Sequence, residues 1–320
     1  MKRDKPLDRP RFAKLVPQGP RTTPRQLTRF GFSGHQTFPF RYGWLKKGVE
    51  QVQKNPRVFS QEDAVSVLGV GKNMVDSIRH WGLATGLLEE DHRSQFRPSY
   101  LGEKLLQAWD PFLEDTGSLW LLHWRLVSNP ARAALWNIAF SHFPRADFSK
   151  PELLDFVVAL AQRLNLKANP RTIARDIDCL VRMYAVPPEG GAMVVEDSFS
   201  CPLVELGLLQ LVRGSDTYRF TIGPKRDLPD LVFAFTLFDY VTVHRGEQCT
   251  IPLQELMYGI SSPGQAFKLD EGSVEDFLER VRSLTGGSVE FDATAGLPQA
   301  YVRELLRPED FLAAYYEERA

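Results

Sequence analysis

The chain has 320 residues, of which 43% are hydrophobic and 25% are charged. This length exceeds a usual single core, so we expect two or three domains, and the composition is that of a soluble globular protein. No run of eighteen apolar residues and no signal peptide are present, which predicts a cytoplasmic protein without a membrane partner. Three cysteines, Cys179, Cys201 and Cys249, lack the spacing of a disulfide framework or a zinc site.

The net charge of −1 hides a gradient along the chain. Residues 1–29 carry nine Lys or Arg against two Asp, whereas residues 247–320 carry six basic against fourteen acidic side chains. The first segment also has five prolines and little to bury. We therefore predict a basic, disordered arm over residues 1–29 that contacts DNA phosphates or docks on the acidic C-terminal part.

The stretch Phe30–Trp44 is predicted to be a shaped loop. It holds six aromatic residues and three glycines, and Gly34 and Pro39 argue against both a helix and a strand. Its polar side chains are of the kind that bind phosphate or transfer protons: Ser33, His35, Gln36, Thr37 and Arg41. The alternative interpretation is a glycine turn followed by a hydrophobic plug.

Residues 42–98 have the order of elements of a winged helix. A helix over 42–54 is followed by a capping box at Ser60–Asp63, a short helix, a Gly-Val-Gly turn and a second helix from Lys72. Residues 87–90 and 95–97 then predict a β-wing, and Ser99 begins another helix. Two helices joined by a tight turn are also a common packing device in proteins that never touch DNA.

The outer face of this pattern predicts a DNA contact. On the second helix, Met74, Val75, Ile78 and Trp81 form the inner face, so the polar positions would meet base edges and phosphates. The predicted DNA-binding residues here are Lys46, Lys47, Lys72, Asn73, Arg79 and His80. Asp76 on the same face would repel phosphate.

Residues 109–246 are predicted to be a helical connector with a second helix-turn-helix. Trp120, Trp124 and Trp136 fall at helical spacing and are interpreted as core. After a helix over 150–165, Asn169-Pro170 predicts a capped helix start. Arg171 and Arg175 on its outer face are predicted to bind DNA, although Asp176 and Asp178 could pair with these arginines instead.

Leu228–Val243 is predicted to be a buried helix, since sixteen residues are too few to span a membrane comfortably. Residues 247–320 repeat the helix-turn-helix order with an acidic surface, which suits a protein-interaction domain. We therefore expect a mainly α fold of tandem winged-helix or helix-turn-helix domains with short β-wings and a helical connector. The predicted domains after the arm are 30–108, 109–246 and 247–320.

The motifs also carry a resemblance. The segments Ser33–Gly48, Glu62–Ala64 and Leu68–Trp81 are similar to a bacterial family first catalogued as a domain of unknown function, which includes the SspB component of the Ssp DNA phosphorothioation system. The resemblance is specific over residues 33–86. It implies a DNA-nicking endonuclease of a sulfur-modification and phage-defence system, using Mg²⁺ or Mn²⁺ and working with a cysteine desulfurase, an ATPase and an ATP-pyrophosphatase-like protein.

The residues themselves show no nuclease motif. No strand-borne acid pair is followed by Glu-x-Lys, no His-Asn-His pattern exists, and Gly69–Lys72 lacks the upstream glycine of an ATP-binding loop, which predicts no ATP site. If nicking is intrinsic, His35 is the candidate general acid or base and Arg41 the phosphate clamp. The candidate metal ligands are Glu62 and Asp63.

Each of these candidates has a structural alternative. His35 could satisfy a turn, Arg41 could pair with an acid, and Glu62 and Asp63 could favour a helix N-terminus. The whole chain could likewise be a non-catalytic DNA-binding adaptor or regulator that recruits the sulfur-transfer proteins through its acidic region.

Overall fold

The computed structural model describes residues 29–186, 201–293 and 297–319. Helices predominate among these residues, and each of the three small sheets is antiparallel, which confirms the mainly α prediction. The predicted arm, apart from Arg29, and the loop at 187–200 lie outside the described residues. None of the described helices is long and apolar enough to cross a membrane.

The chain forms two compact units. The first contains the described residues up to Gly223 together with Ala266–Lys268, and the second contains Pro224–Gln265 and the described residues from Leu269 onward. The finer domain boundaries predicted from the sequence stay predictions.

The first unit holds eight α-helices and five strands among its described residues. Its helices are α1 (Trp44–Lys54), α2 (Ala64–Leu68), α3 (Lys72–Ala84), α4 (Tyr100–Lys104), α5 (Thr116–Val127), α6 (Ala134–Asn137), α7 (Lys150–Arg163) and α8 (Pro170–Tyr184). Its strands are β1 (Leu88–Glu90), β2 (Phe96–Pro98), β3 (Asp147–Ser149), β4 (Leu209–Leu211) and β5 (Thr217–Phe220). β1 and β2 pair as a hairpin at the place of the predicted wing, and the other three strands form a sheet in the order β3–β5–β4.

Helix starts in this unit follow local capping chemistry. The Ser99 side chain accepts a hydrogen bond from the Gly102 amide, and Asn169 caps α8 with Pro170 in its first turn, as predicted. A capping box between Ser149 and Glu152 opens α7.

The capping box predicted at Ser60–Asp63 is wrong. Val58 and Phe59 are buried and draw the chain into a 3₁₀ turn that ends at Ser60. As a result α2 begins only at Ala64, and Asp63 precedes it without a side-chain capping bond.

The core of the first unit is aromatic. Trp81, Trp120, Trp124 and Trp136 are each at most 1% exposed, which confirms the interpretation of the connector tryptophans as core. Trp81 and Trp136 meet edge to face with their ring centroids 5.2 Å apart. Such pairs add a directional contact to the burial of apolar surface.

The second unit is built on one buried helix. Its helices are α9 (Asp230–His244), α10 (Leu253–Tyr258), α11 (Pro263–Phe267, whose last two residues belong to the first unit), α12 (Glu271–Leu284) and α13 (Pro308–Glu317). Strands β6 (Cys249–Pro252), β7 (Val289–Asp292) and β8 (Gln299–Val302) form a sheet in the order β6–β8–β7. α9 stacks Phe233 on Phe277 and Phe238 on Phe311, so the apolar run is a buried helix as predicted.

All three cysteines are free thiols. Cys179 and Cys201 are buried, and Cys249 is half-buried.

Candidate functional site

The loop Ser33–Thr37 has an unusual backbone. Ser33, Gln36 and Thr37 adopt positive φ angles of 72°, 49° and 67°, and Gly34 has φ 104°. The left-handed region is disfavoured for residues with a side chain, so this conformation persists only because surrounding contacts impose it.

A buried hydrogen-bond network imposes it. His35 Nε2 lies 2.9 Å from Asp176 Oδ1, and Asp176 Oδ2 accepts the Ser33 amide at 2.9 Å. The Thr37 amide donates to His35 Nδ1 at 3.1 Å. Because a neutral imidazole has one donor and one acceptor nitrogen, these bonds place the ring proton on Nε2, which donates to the carboxylate. Both residues are 2% exposed, so the loop is tied to the interior face of α8.

Aromatic rings enclose the imidazole. His35 stacks on Trp81 with a centroid distance of 5.6 Å and meets Trp136 and His80 edge to face, also at 5.6 Å. A side chain at Gly34 would overlap the His80 ring. The glycine is therefore required both by its φ angle and by this close approach.

Two further bonds fix the end of the loop. The Phe38 carbonyl accepts from Trp81 Nε1 at 2.9 Å, and the Thr37 carbonyl accepts from the Arg182 guanidinium. The loop is thus clamped between α3 and α8. Phe40, which follows it, is fully buried against Trp81. These contacts agree with the plug interpretation of the aromatic stretch.

The structure places the candidate catalytic residues in different surroundings. His35 is interior with both ring nitrogens engaged, so proton transfer to a substrate would need the loop to open. Arg41 is half-buried, and its guanidinium carbon lies 5.5 Å from the centroid of the Trp44 ring. Their roles as general acid or base and as phosphate clamp stay predictions.

The candidate metal ligands do not gather. Glu62 and Asp63 are both exposed at the bend before α2. In the parts of the chain that the structure describes, no group of three or more His, Cys, Asp or Glu side chains could hold a metal ion.

On α3, the exposed placement of His80 is wrong. Lys72 and Asn73 are exposed and Arg79 is half-exposed, with a nitrogen 3.4 Å from Asp76. His80 instead packs against His35 and Trp81 with 9% exposure. The loop covers this side of α3, a contact that helical periodicity alone does not show.

Burial changes the chemistry of His80. Its Nε2 has no hydrogen-bond partner among the described residues. Desolvation, with smaller effects from the nearby positive charges of Arg132 and Arg79, lowers the pKa of His80 to about 3. This ring is therefore uncharged at neutral pH and cannot serve as a cationic phosphate contact.

The two lysines of α1 have partners within the unit. Lys46 Nζ lies 3.8 Å from the centroid of the Phe112 ring and 3.9 Å from Glu50, and Lys47 Nζ donates to the Leu68 carbonyl at 2.9 Å. Lys47 thereby binds the C-terminal end of α2. Binding of DNA by these two side chains stays a prediction.

On α8, Arg171 and Arg175 are exposed as predicted, but the possible pairing of Asp176 with the arginines is wrong. Asp176 faces inward to His35, and Asp178 pairs with Lys150 at 2.7 Å. One signal in the sequence could have found Asp176. It lies three residues after Ile173 and four before Leu180, on the apolar face, where an acid needs a buried partner.

Another buried ionisable group lies elsewhere in this unit. Lys268 Nζ donates to the Phe140 carbonyl at 2.8 Å and lies 4.5 Å from the centroid of the Phe220 ring. Burial lowers the pKa of Lys268 to about 7. Its surroundings are core aromatics, so we interpret it as structural.

Comparison with known proteins identifies the family. Residues 32–316 match the profile of a family described as "Protein of unknown function (DUF4007)". Two solved structures of SspB, one of them magnesium ion-bound, are 32% identical to this chain, with TM-scores of 0.82 and 0.81. Each match covers 90% of this chain and 88% of the other. No curated protein matches. The chain is SspB-like and belongs to the DUF4007 family.

Proposed function

We propose that this protein binds DNA in a phosphorothioation system of the Ssp type and nicks one strand so that sulfur can be installed. The observation that carries the proposal is the similarity to SspB over nine-tenths of the chain at 32% identity. Phage defence and the partners implied by the resemblance, a cysteine desulfurase, an ATPase and an ATP-pyrophosphatase-like protein, belong to the same proposal.

The order of elements supports DNA binding. α2, the turn at 69–71, α3 and the β1–β2 hairpin follow one another as in a winged helix, with α3 in the place of the recognition helix. Lys72 and Asn73 are exposed at its N-terminal end, where a recognition helix meets base edges.

A second basic surface lies on α8. Arg171, Arg175 and Arg182 are spaced by four and seven residues and therefore share one face of the helix. Two positively charged helices in one unit suit a duplex whose backbone carries one charge per phosphate.

The metal requirement is a separate part of the proposal. A magnesium ion is bound in one SspB structure. Glu62 and Asp63 alone do not fit a resident site, since they are neighbouring exposed carboxylates without a third acidic or histidine ligand in the described residues. A Mg²⁺ ion can also be held by one or two carboxylates with substrate phosphates, so we derive no chemical step from these residues.

Relaxation of a supercoiled plasmid tests the nicking activity. Purified protein is incubated with plasmid and Mg²⁺ or Mn²⁺, with EDTA as the control. We expect open-circular product only with the cation. Intact supercoiled plasmid in every reaction, with and without the partner proteins, would contradict intrinsic nicking.

DNA binding is tested by its salt dependence. Replacing Lys72, Arg79, Arg171 and Arg175 with glutamine should weaken duplex binding and reduce the slope of log K against log salt by roughly 0.9 per lost phosphate contact. The matched control replaces four arginines of the second unit: Arg280, Arg282, Arg303 and Arg307. An unchanged slope in the first variant would exclude both helices as DNA contacts.

The second candidate function is a non-catalytic DNA-binding adaptor that recruits the sulfur-transfer proteins. It is favoured by the enclosed position of His35 and by the isolated position of Glu62 and Asp63. Under this alternative the protein would bind duplex with the salt dependence above and leave the plasmid supercoiled.

A further inference from the structure

We propose that the exposed tip of the loop Ser33–Thr37 binds a phosphate of the DNA backbone, and that the buried pair His35–Asp176 positions this tip. The tip is defined as the side chains of Ser33, Gln36 and Thr37. The inference rests on the proposed DNA-binding function and assigns its ligand, a backbone phosphodiester, to a surface outside the two helices named above.

The side chains of the tip are free to meet a ligand. All three are exposed, and they make no hydrogen bond to the described part of the chain, because the loop uses only its backbone and His35 for internal bonds. Two hydroxyl groups and one amide are donors of the kind that commonly contact phosphate oxygens.

The backbone of the tip is preorganised. Its three residues all have positive φ angles, between 49° and 72°, and the bonds with Asp176, His35 and Arg182 fix the backbone of Ser33 and Thr37 on either side of Gln36. Because this backbone is already ordered, binding a ligand would have to order only the three side chains. Backbone strain of this kind is concentrated at functional sites.

The basic face of α8 leads to the tip. Arg171, Arg175 and Arg182 lie on one face together with Asp178, which pairs with Lys150, and Arg182 bonds directly to the carbonyl of Thr37. From α3, Arg79 adjoins His80, whose ring packs on His35. Asp76 offsets part of the charge of Arg79. A DNA strand that follows the arginines of α8 would therefore arrive at the tip.

Asp176 is a positioning residue in this proposal. It is 2% exposed and cannot touch DNA, but each of its oxygens binds a different part of the loop, the His35 ring and the Ser33 amide. The carboxylate thus acts on the ligand only through the tip.

The first test removes the donors. Fluorescent duplex is titrated with full-length protein and with the triple variant Ser33→Ala, Gln36→Ala, Thr37→Ala at several salt concentrations. We expect roughly tenfold weaker binding at each salt concentration and an unchanged salt slope, because neutral donors release no counterions. The matched control is Gln248→Ala, Thr250→Ala, Ser283→Ala, three exposed residues of the second unit, which should bind like the parent.

The outcomes separate the two proposals. If the parent protein does not bind duplex, the proposed function fails and this inference with it. If the parent binds and the triple variant binds equally well, only the role of the tip is overturned.

The second test is a double-mutant cycle on Asp176. Asp176→Asn is made in the parent and in the triple variant, and binding is measured well below the melting temperatures of all four proteins. If Asp176 acts through the tip, Asp176→Asn should lower the affinity for duplex about tenfold in the parent and hardly at all in the triple variant. An equal loss on both backgrounds would show that Asp176 supports the fold in general and would overturn its positioning role.

Discussion

The loop Ser33–Thr37 and the turn Asp91–Gln95 of the hairpin use the same chemical device in different ways. In both, an aspartate accepts hydrogen bonds from a tight turn: two backbone amides for Asp91, and one backbone amide and the His35 ring for Asp176. Asp91 Oδ1 accepts from Arg93 at 2.8 Å and from Gln95 at 2.9 Å, all within five residues and on the surface. Asp176 reaches the loop from 143 positions away and is buried.

The difference decides what each turn depends on. The hairpin turn is held by its own sequence, and its backbone bonds lower the pKa of the exposed Asp91. The loop depends on α3, α6 and α8 being in place, because its aspartate comes from α8 and its enclosing rings come from α3 and α6. Loss of the carboxylate should therefore reduce stability little in the hairpin turn and substantially in the loop.

Among the substitutions that test this contrast, Gly34→Ala should lower the stability most. The new side chain would be strained at φ 104° and would overlap the buried His80 ring, which we expect to lower the free energy of unfolding by about 3 kcal/mol. The control Gly43→Ala has φ 78° but open space, so its cost should be about 1 kcal/mol. Urea denaturation measures both. Equal losses would show that the contact with His80 is not tight.

Asp176→Asn should have the next largest effect. The asparagine offers one acceptor oxygen where the aspartate offers two, so either the His35 ring or the Ser33 amide would lose its acceptor. We expect this change to lower the free energy of unfolding by about 2 kcal/mol. Asp91→Asn keeps an acceptor oxygen on the surface and should leave the melting temperature close to that of the parent. Asp178→Asn controls for loss of charge on α8. If Asp91→Asn proved as damaging as Asp176→Asn, the contrast between local and remote turns would be wrong.

The smallest effect concerns acid sensitivity. The pKa of His80 is lowered to about 3, so its uncharged form is favoured by folding. The contribution of the uncharged ring to the free energy of unfolding is complete above the unfolded pKa near 6.5 and is lost as the pH falls toward 3. Between pH 7 and pH 5 this loss should be at most about 2 kcal/mol.

His80→Phe should remove this part of the acid sensitivity, whereas His92→Phe in the exposed hairpin turn should not. Stability curves of the three proteins from pH 7 to pH 5 measure the difference. The parent is the necessary reference, because burial also lowers the pKa values of His142 and His244. Parallel curves for His80→Phe and the parent would contradict the burial of an uncharged ring.

Much of the fold could be predicted because its determinants are local. Apolar spacing predicted α1, α3, α8 and the buried α9, and capping residues gave the starts of α4 and α8. The tryptophans of the connector were predicted as core because large aromatic side chains at helical spacing are seldom left in water. The resemblance that pointed to SspB also lies in short segments close together in the sequence, within residues 33–86.

The candidate site depended on contacts that no local pattern contains. Periodicity placed His80 outside and left Asp176 free to pair with arginines, because it describes one helix at a time. Only the packed structure brings α3, α8 and the loop together, and burial then decides the chemistry. It removes His80 from the face predicted to bind DNA, pairs Asp176 with His35, and leaves Ser33, Gln36 and Thr37 on the surface. Side chains 141 positions apart in sequence are neighbours in the fold because a buried carboxylate must find its hydrogen-bond donors wherever the chain brings them.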